Sequence, residues 1–228
     1  METAPTPNSP NSNLINEINA LKEKINSLTE RMISLENKLE KLESTKKDNY
    51  GLTDKIIKTE EEIKELFSFI SNGRERQFRL LYSPTLEKNK KEDFHKNCDN
   101  KGSTIILVET SNGRRFGTFA SLSWKSNDQW VNDPFACIFS FDNHKRYNLL
   151  LPQYAYYGGP GYGPHFGLGD QLGFYNNGKD GKDVNSMGFL DSIHTLNFGT
   201  KTYDINSIDE ITLSSNYVIN KMEVYQVL

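Results

Sequence analysis

The sequence predicts an α+β, mainly β chain, in which a long coiled-coil helix precedes a two-sheet antiparallel β-sandwich with a few short helices. Two observations support this: an unbroken heptad repeat of apolar residues near the N-terminus, and closely spaced short strands with turn residues after residue 73. The second half lacks the regular helix–strand alternation of a parallel α/β fold. The predicted segments are a disordered tail at 1–13, a parallel coiled coil at 14–43, a break or hinge at 44–53, a second helix at 54–73 and a β-rich domain at 74–228.

The N-terminal tail is rich in Pro, Ser and Asn and has no apolar core. This composition is typical of a disordered segment and does not match a secretory signal. No later run approaches the roughly 18 apolar residues of a membrane span, so we expect no membrane insertion. The two cysteines, Cys98 and Cys137, are too few for a disulfide framework, which favours a reducing, cytoplasmic compartment.

The segment after the tail carries apolar residues whose spacing alternates between four and three positions. Residues spaced in this way line one stripe of a helix, which faces a partner helix in a coiled coil. This seam consists of Leu14, Ile18, Leu21, Ile25, Leu28, Met32, Leu35, Leu39 and Leu42. It predicts that the protein associates with itself through residues 14–43.

The charged residues beside the seam favour a parallel pair of helices. In that arrangement a g residue of one helix lies near the e residue of the partner's next heptad, and opposite charges attract there. Three of the four pairs are attractive and none is repulsive. The pairs are Glu17–Lys22, Lys24–Thr29, Arg31–Glu36 and Lys38–Glu43. We therefore expect a parallel dimer, while a trimer, a tetramer and a helix folded onto the C-terminal domain stay open as alternatives.

The seam fails after Leu42. Polar residues take the next a and d places, and Gly51 destabilises a helix interior by roughly 1 kcal/mol, which predicts the break. In the second helix, Thr53 or Asp54 is the candidate cap and Asn72-Gly73 the end. Its apolar residues keep the register of the seam and are Ile56, Ile63, Phe67 and Ile70. Extension of the coil and packing on the next domain are both open, and the shared register favours extension.

After residue 73 the apolar residues form short runs separated by turns. The clearest pair is a buried strand at 104–110 and its partner at 114–123, joined by a hairpin turn at 111–113. The other predicted strands cover 79–82, 136–141, 147–151, 172–175 and 215–227, with a short helix at 94–99 and an ordered Gly-rich loop at 158–169. Short strands of this kind are typical of an antiparallel sandwich.

Several blocks of this second half resemble the TLDc domain. They are residues 80–82, 94–102, 104–108, 113–117 and 121–124, the Gly-rich centre 161–172, and the terminal Glu-Val-Tyr-Gln-Val of 223–227. The blocks follow in the family's order over 74–228. Thr118, Leu168 and Gln171 depart from the family's usual residues, and 176–191 is the least similar stretch.

The resemblance implies two antiparallel sheets with short helices around them, and neither a cofactor nor a settled catalytic site. Members of this family protect cells against oxidative stress, and some bind the V-ATPase. The resemblance and the seam together predict a non-catalytic, oligomeric interaction protein, with the V-ATPase as a candidate partner.

Two other functions stay open as alternatives. His95 and Cys98 are three positions apart, so one helix face could pair an imidazole with a thiol in a redox-active protein or enzyme. Local basic groups at 88–91 and 114–115 could serve a nucleic-acid-binding regulator. Residues 74–228 carry 17 basic and 17 acidic side chains, however, and this neutral balance argues against phosphate binding.

Four aromatic residues are candidates for a partner surface. Trp124 and Trp130 bracket a polar loop, although a buried core position is the commoner environment of a tryptophan, and Tyr162 and His165 belong to the Gly-rich loop. That loop lacks the residue order of a phosphate-binding loop. With four His and two Cys in the chain, we predict neither a metal nor another cofactor.

Overall fold

The computed structural model describes residues 10–53, 55–84, 90–168, 172–175, 192–194, 201–206, 209–212 and 219–228. The chain divides into two compact units, Met1–Thr45 and Lys46–Leu228, and the boundary lies inside the longest helix, α1 (Pro10–Tyr50). This helix begins within the predicted tail, because proline is well tolerated in the first turn of a helix. The rest of that tail lies outside the described residues.

In the first unit, α1 confirms the predicted helix. All nine seam residues are exposed, by between 43% and 64%. Isolated helices obtain most of their stability from packing of an apolar face. The exposed seam is therefore the apolar face through which α1 would be stabilised by a partner helix. The coiled coil itself stays a prediction.

The predicted break at 44–53 begins too early. The helix continues to Tyr50 and ends at Gly51, which has a left-handed φ of +76°. A Cβ at position 51 would collide with the carbonyl oxygen of Phe78. The glycine is therefore needed both to end α1 and to let the chain pass close to the first strand.

The second helix, α2 (Glu60–Ser71), is shorter than predicted and does not extend the coil. Thr59, rather than Thr53 or Asp54, caps it: the Thr59 hydroxyl accepts a hydrogen bond from the Glu62 N–H at 3.2 Å. Its buried side chains, Ile63, Leu66 and Phe67, pack in a cluster with strand residues of the second unit. The expectation that 54–73 continues the coil is therefore wrong, and only its end at Asn72-Gly73 was placed correctly.

The second unit contains two antiparallel sheets and short helices. The strands are β1 (Phe78–Tyr82), β2 (Thr104–Thr110), β3 (Arg115–Ala120), β4 (Gln129–Val131), β5 (Cys137–Ser140), β6 (Lys145–Tyr147), β7 (Tyr156–Gly158), β8 (His165–Phe166), β9 (Leu172–Tyr175), β10 (Ser192–His194) and β11 (Ile219–Val227). The helices beside α2 are α3 (Lys91–Cys98), α4 (Asp209–Thr212) and a 3-10 turn at Pro152–Tyr154. The larger sheet has the order β1-β11-β2-β3-β5-β6 and the smaller β10-β9-β8-β7-β4. This confirms the predicted α+β, mainly β sandwich.

Several strands differ from the prediction, and β4, β7 and β10 were not predicted. Strand β6 lies at Lys145–Tyr147 instead of 147–151, so the hairpin after β5 is tighter than expected. The Gly-rich loop contains β8, which pairs with β7 and β9. Strand β11 begins at Ile219, and 213–218 lie outside the described residues.

Both faces of the larger sheet are buried. Alternate residues of β2 point to opposite faces. Ile106 and Val108 join the cluster that includes Phe166 of the smaller sheet, whereas Ile105 and Leu107 join the cluster that includes α2. This explains why 104–108 reads as a continuous apolar run. The order of layers is α2, larger sheet, smaller sheet.

Candidate functional site

The outer face of the smaller sheet carries a row of aromatic side chains. Trp130 of β4 lies opposite Tyr157 of β7, and their neighbours Val131 and Tyr156 pack on the inner core. Because side chains alternate along a strand, Trp130 and Tyr157 point away from that core. His165 of β8 continues the row, since the next residue, Phe166, lies opposite Tyr156 and is buried in the core.

The rings of this row contact one another. The ring centroids of Trp130 and Tyr157 are 5.2 Å apart, and those of Trp130 and His165 are 5.5 Å apart. Tyr154 and Tyr162 flank the row, at 5.8 Å from Trp130 and 5.7 Å from Tyr157. We call these five residues the aromatic face.

The aromatic face is partly open to solvent. Tyr162 is 48% exposed, Trp130, Tyr154 and Tyr157 are half-buried, and His165 is buried beneath them. The rings meet at interplanar angles from 52° to 90°, which is the tilted and edge-to-face geometry that aromatic pairs prefer. They form a ridged surface and not the flat platform on which a base or a sugar ring would stack.

Side chains of α3 hydrogen-bond to the backbone of the Gly-rich loop. The His95 Nε2–H points at the carbonyl oxygens of Gly159 and Tyr162, at 3.1 and 3.0 Å. One helical turn earlier, the Lys91 ammonium donates to the Gly161 carbonyl oxygen at 3.1 Å. Three backbone carbonyls of one loop are thus bound by two side chains four positions apart, which share one helix face.

The same histidine connects the loop to its neighbour. His95 Nδ1 lies 2.9 Å from Asp99 Oδ1, and the other Asp99 oxygen accepts a hydrogen bond from the Ser126 hydroxyl at 2.5 Å. This chain of hydrogen bonds joins the loop before β4 to the loop after β7. Both loops that flank the strands of the aromatic face are therefore fixed to the same helix.

The turn before β4 is also bound to β7 directly. The N–H groups of Asn127 and Asp128 donate to the Gly158 carbonyl oxygen at 2.9 and 2.8 Å, and Asp128 adopts a left-handed φ of 54°. A Cβ on Gly158 would collide with the carbonyl oxygen of Lys125. Partial burial and the nearby Asp128 carboxylate raise the pKa of the Tyr157 phenol above its ordinary value.

Comparison with known families decides what kind of domain this is. The TLDc domain model matches residues 51–228. The chain belongs to the TLDc domain family. The comparison with curated proteins finds no similar sequence.

The family match moves the start of the domain from the predicted residue 74 to residue 51. The structure explains the difference, because α2 and the segment before it belong to the domain's second apolar cluster. The Thr53 hydroxyl donates to the buried Glu223 carboxylate at 2.6 Å, and Arg115 pairs with Glu62 at 2.6 Å. Residues 51–73 therefore complete the TLDc domain.

The structure separates the four residues predicted as a partner surface. Trp130, Tyr162 and His165 come together in the aromatic face, but Trp124 does not. Trp124 is fully buried in the inner core, and its indole N–H donates to the Thr104 hydroxyl at 2.9 Å. The prediction of Trp124 as a contact residue is wrong, because its ring fills the space between the sheets.

The structure also contradicts the predicted redox pair. Cys98 is fully buried, and burial raises the pKa of its thiol far above the ordinary value, so the reactive thiolate is disfavoured. Both ring nitrogens of His95 are bound to other groups, namely Asp99 and the Gly-rich loop. His95 thus positions a loop and does not activate Cys98. Cys137 is buried as well, and both cysteines are free thiols.

Sequence reasoning missed Tyr154, Tyr157 and Asp99 as parts of this site. The spacing of Lys91, His95 and Asp99 at steps of four was a usable signal for one helix face. Tyr157 could be assigned to the outer face only once its strand partner was known. Pairing between distant strands decides that, and spacing within one segment does not.

The described residues give little support to the predicted basic groups as a nucleic-acid-binding site. Arg115, one of the candidate basic residues, is bound to Glu62 and Asp142. In the other basic group, 88–91, the structure describes Lys90 and Lys91, and the Lys91 ammonium is bound to the Gly161 carbonyl oxygen. No cluster of His, Cys, Asp or Glu in the described segments has the geometry of a metal site. Within the same segments, every helix is too polar or too short to cross a bilayer.

Proposed function

We propose that this TLDc protein is a non-catalytic, oligomeric interaction protein that binds a protein partner through the aromatic face. This proposal rests on a cluster of half-exposed aromatic rings outside the core. Hydrogen bonds from α3 fix the loops beside these rings. Binding residues are found disproportionately on loops that a rigid scaffold positions, and exposed aromatic residues are frequent contact residues in interfaces.

The chemistry of the aromatic face suits a protein partner. Tryptophan and tyrosine supply most of the binding free energy in many interfaces, since they bury large apolar areas and keep a polar group for hydrogen bonding. The hydrogen bonds from His95 and Lys91 already order the Gly-rich loop in the free protein. Binding of a partner therefore costs less conformational entropy of that loop. A rigid aromatic surface of this kind binds without further ordering of its loops.

The seam on α1 supports the oligomeric part of the proposal. A row of large apolar side chains exposed by 43% to 64% over residues 14–42 would be covered in an assembly of several chains. Joining two TLDc domains in one particle can raise the avidity for a partner by roughly 10²- to 10⁴-fold. The seam therefore sets the number of binding domains, and the aromatic face sets the partner.

The process we propose is protection against oxidative stress or regulation of the V-ATPase, in the cytoplasm. Family resemblance supports this step. The two groups with nucleophilic chemistry, Cys98 and His95, are occupied in packing and in loop positioning, which supports a role in binding over a role in catalysis.

An affinity pull-down with the full chain tests the proposal. The variant Trp130→Ala/Tyr162→Ala removes the tryptophan and the most exposed ring of the aromatic face, and Phe135→Ala is the control, because Phe135 is 69% exposed on a different loop. We expect the native protein and the control to recover peripheral V-ATPase subunits from cell lysate. The double variant should recover at least about tenfold less, with an unchanged melting temperature.

Two results would contradict the proposal in different ways. Equal recovery by the double variant and the native protein would mean that the aromatic face is not the contact surface. If neither the native protein nor the control recovers the pump, the V-ATPase assignment fails.

A further inference from the structure

We propose that α1 pairs with α1 of a second copy as a parallel, in-register, two-stranded coiled coil. This inference rests on the oligomeric part of the proposed function and deepens it, since it names the partner of the seam, the number of strands and their direction. Four independent features of the described helix support it: its exposure, the width of its apolar stripe, its charge pattern and its length.

The exposure of the seam identifies α1 as a surface that needs a partner. Every residue described between 13 and 42 is exposed, and this includes all nine seam residues. The least exposed of them, Ile18, is still 43% open. Within the first unit, the described residues 13–42 therefore present the whole seam as an exposed surface.

The width of the stripe limits the partner to one helix. Beside the a and d positions, the e and g positions hold charged or polar residues, except for Ile15 at the first e position. The residue types at a and d favour two strands, because every d position is Leu and two of the four a positions are the β-branched Ile18 and Ile25.

The charges select the parallel direction. In the parallel register the attractive pairs are Glu17–Lys22, Arg31–Glu36 and Lys38–Glu43, and none is repulsive. In an overlapping antiparallel register, g faces g and e faces e, which would place Lys24 against Arg31 on the g side, where the attraction between Glu17 and Lys38 would only offset that repulsion. Like charges at such a short distance repel each other. The charges of α1 therefore favour a parallel pair over an antiparallel pair.

The length of the seam is sufficient for a stable pair. Residues 14–42 contain five d positions and four a positions, and they span about 42 Å at 1.5 Å per residue. In a parallel pair both chains leave the coil at the same end, where residue 42 of each copy lies next to its equivalent.

Cysteine cross-linking of the full chain tests the direction. Two d residues near opposite ends of the seam are changed singly, as Leu14→Cys and Leu42→Cys. In a parallel, in-register pair, d residues face their equivalents about 6 Å apart between Cα atoms, which suits a disulfide. Copper-phenanthroline with dissolved oxygen accepts the two electrons and two protons that the thiols lose.

Two controls make the cross-linking specific. The native protein reports the background, which should be low because Cys98 and Cys137 are buried. The variant Asn16→Cys places a thiol at an f position, on the side of the helix away from the seam. We expect each d variant to form a disulfide-linked dimer by itself, while the native protein and the f variant do not.

Other outcomes would overturn the inference, and light scattering tells them apart. If neither single variant cross-links but a mixture of Leu14→Cys with Leu39→Cys does, the coil is antiparallel, because d residues face a residues in that direction. A trimer or tetramer mass refutes the two-stranded state. A monomer mass at tens of micromolar removes both the coil and the oligomeric part of the proposed function, while the pull-down with Trp130→Ala/Tyr162→Ala still tests partner binding separately.

Discussion

The apolar residues of α1 and α2 fall in the same heptad register, although the seam is interrupted between them. The two helices differ in whether another part of the protein covers those residues. The seam of α1 is exposed along its whole length, whereas Ile63, Leu66 and Phe67 of α2 are buried against the larger sheet. The difference lies in the width of the stripe. In α2, Leu66 is added beside the a and d positions, so the apolar face is wide enough to cover a sheet.

The comparison teaches that periodicity identifies an amphipathic helix without identifying its partner. The stripe of α1 is strict and its flanks are charged, which fits the proposed pairing with a second copy. The stripe of α2 is broader, and its polar flank carries Glu62, which meets Arg115 of the sheet at 2.6 Å. To predict which surface an amphipathic helix packs against, both the number of its apolar positions and the polar residues beside them must be considered.

The largest expected effect comes from removing an apolar side chain of α2. Phe67 is buried, and its ring lies 5.2 Å from Tyr50 and 6.1 Å from Phe78. We expect Phe67→Ala to lower the free energy of unfolding of the TLDc domain by about 3–5 kcal/mol, because it leaves a cavity. Both tryptophans lie in this domain, so urea unfolding followed by tryptophan fluorescence measures it alone.

The matched control for that experiment lies on α1. Leu28→Ala removes a seam residue that is 54% exposed within its own chain. The fluorescence transition of the domain should stay unchanged, while any self-association weakens. If Leu28→Ala and Phe67→Ala shifted the domain's transition equally, the distinction between the two helices would be wrong.

A smaller effect, dependent on pH, is expected at the ion pair between α2 and the sheet. Partial burial alone would raise the pKa of Glu62, but the hydrogen bond and charge of Arg115 and the N–H groups of Lys58 and Thr59 outweigh it, so the pKa lies below its ordinary 4.5. The folded state therefore favours the carboxylate. This stability is fully present above pH 4.5 and is lost as the pH falls through the lowered pKa.

The variant Glu62→Gln tests this contribution. We expect it to cost about 2 kcal/mol of domain stability near neutral pH, and the deficit should shrink as the pH falls below the unfolded value. Glu61→Gln is the control, since Glu61 belongs to the same helix and is exposed. A deficit that stayed constant from pH 7 down to pH 3 would mean that the carboxylate charge is not the cause.

The smallest change is expected in thiol reactivity. Cys137 lies beneath α2, where its thiol points at the Phe69 carbonyl oxygen at 3.8 Å and burial raises its pKa to about 11. A thiol reagent at pH 7 should label the native protein slowly, and a Glu23→Cys variant on exposed α1 rapidly. Phe67→Ala should speed the labelling of Cys137, whereas rapid labelling of the native protein would show that α2 is not closely packed.

Features that depend on neighbouring residues were predictable. The helix of α1 and the hairpin between β2 and β3 follow from spacing and turn residues, and Gly113 at the turn has a φ of +83°. The blocks that resemble the TLDc domain identified the sandwich, and the structure and the family match confirm it. These signals lie within short segments of the chain.

Features that join distant segments were not predictable from spacing. Trp124 and Trp130 both border the same short loop, yet one is fully buried between the sheets and the other lies on the outer face. His95 was paired with the thiol three positions away, but its partners in the fold include Gly159 and Tyr162. No rule of local periodicity connects residues more than sixty positions apart.

The sequence by itself determined the seam of α1, the two-sheet class of the second unit and the family to which the chain belongs. Heptad spacing, turn residues and ordered blocks are local properties, and each is present before the chain folds. Tertiary structure alone decided that α2 covers the larger sheet, that Trp124 fills the core, and that α3 holds the loops of the aromatic face. These depend on which apolar surfaces and hydrogen-bonding groups meet once the strands have paired, and that pairing brings together residues far apart in the chain.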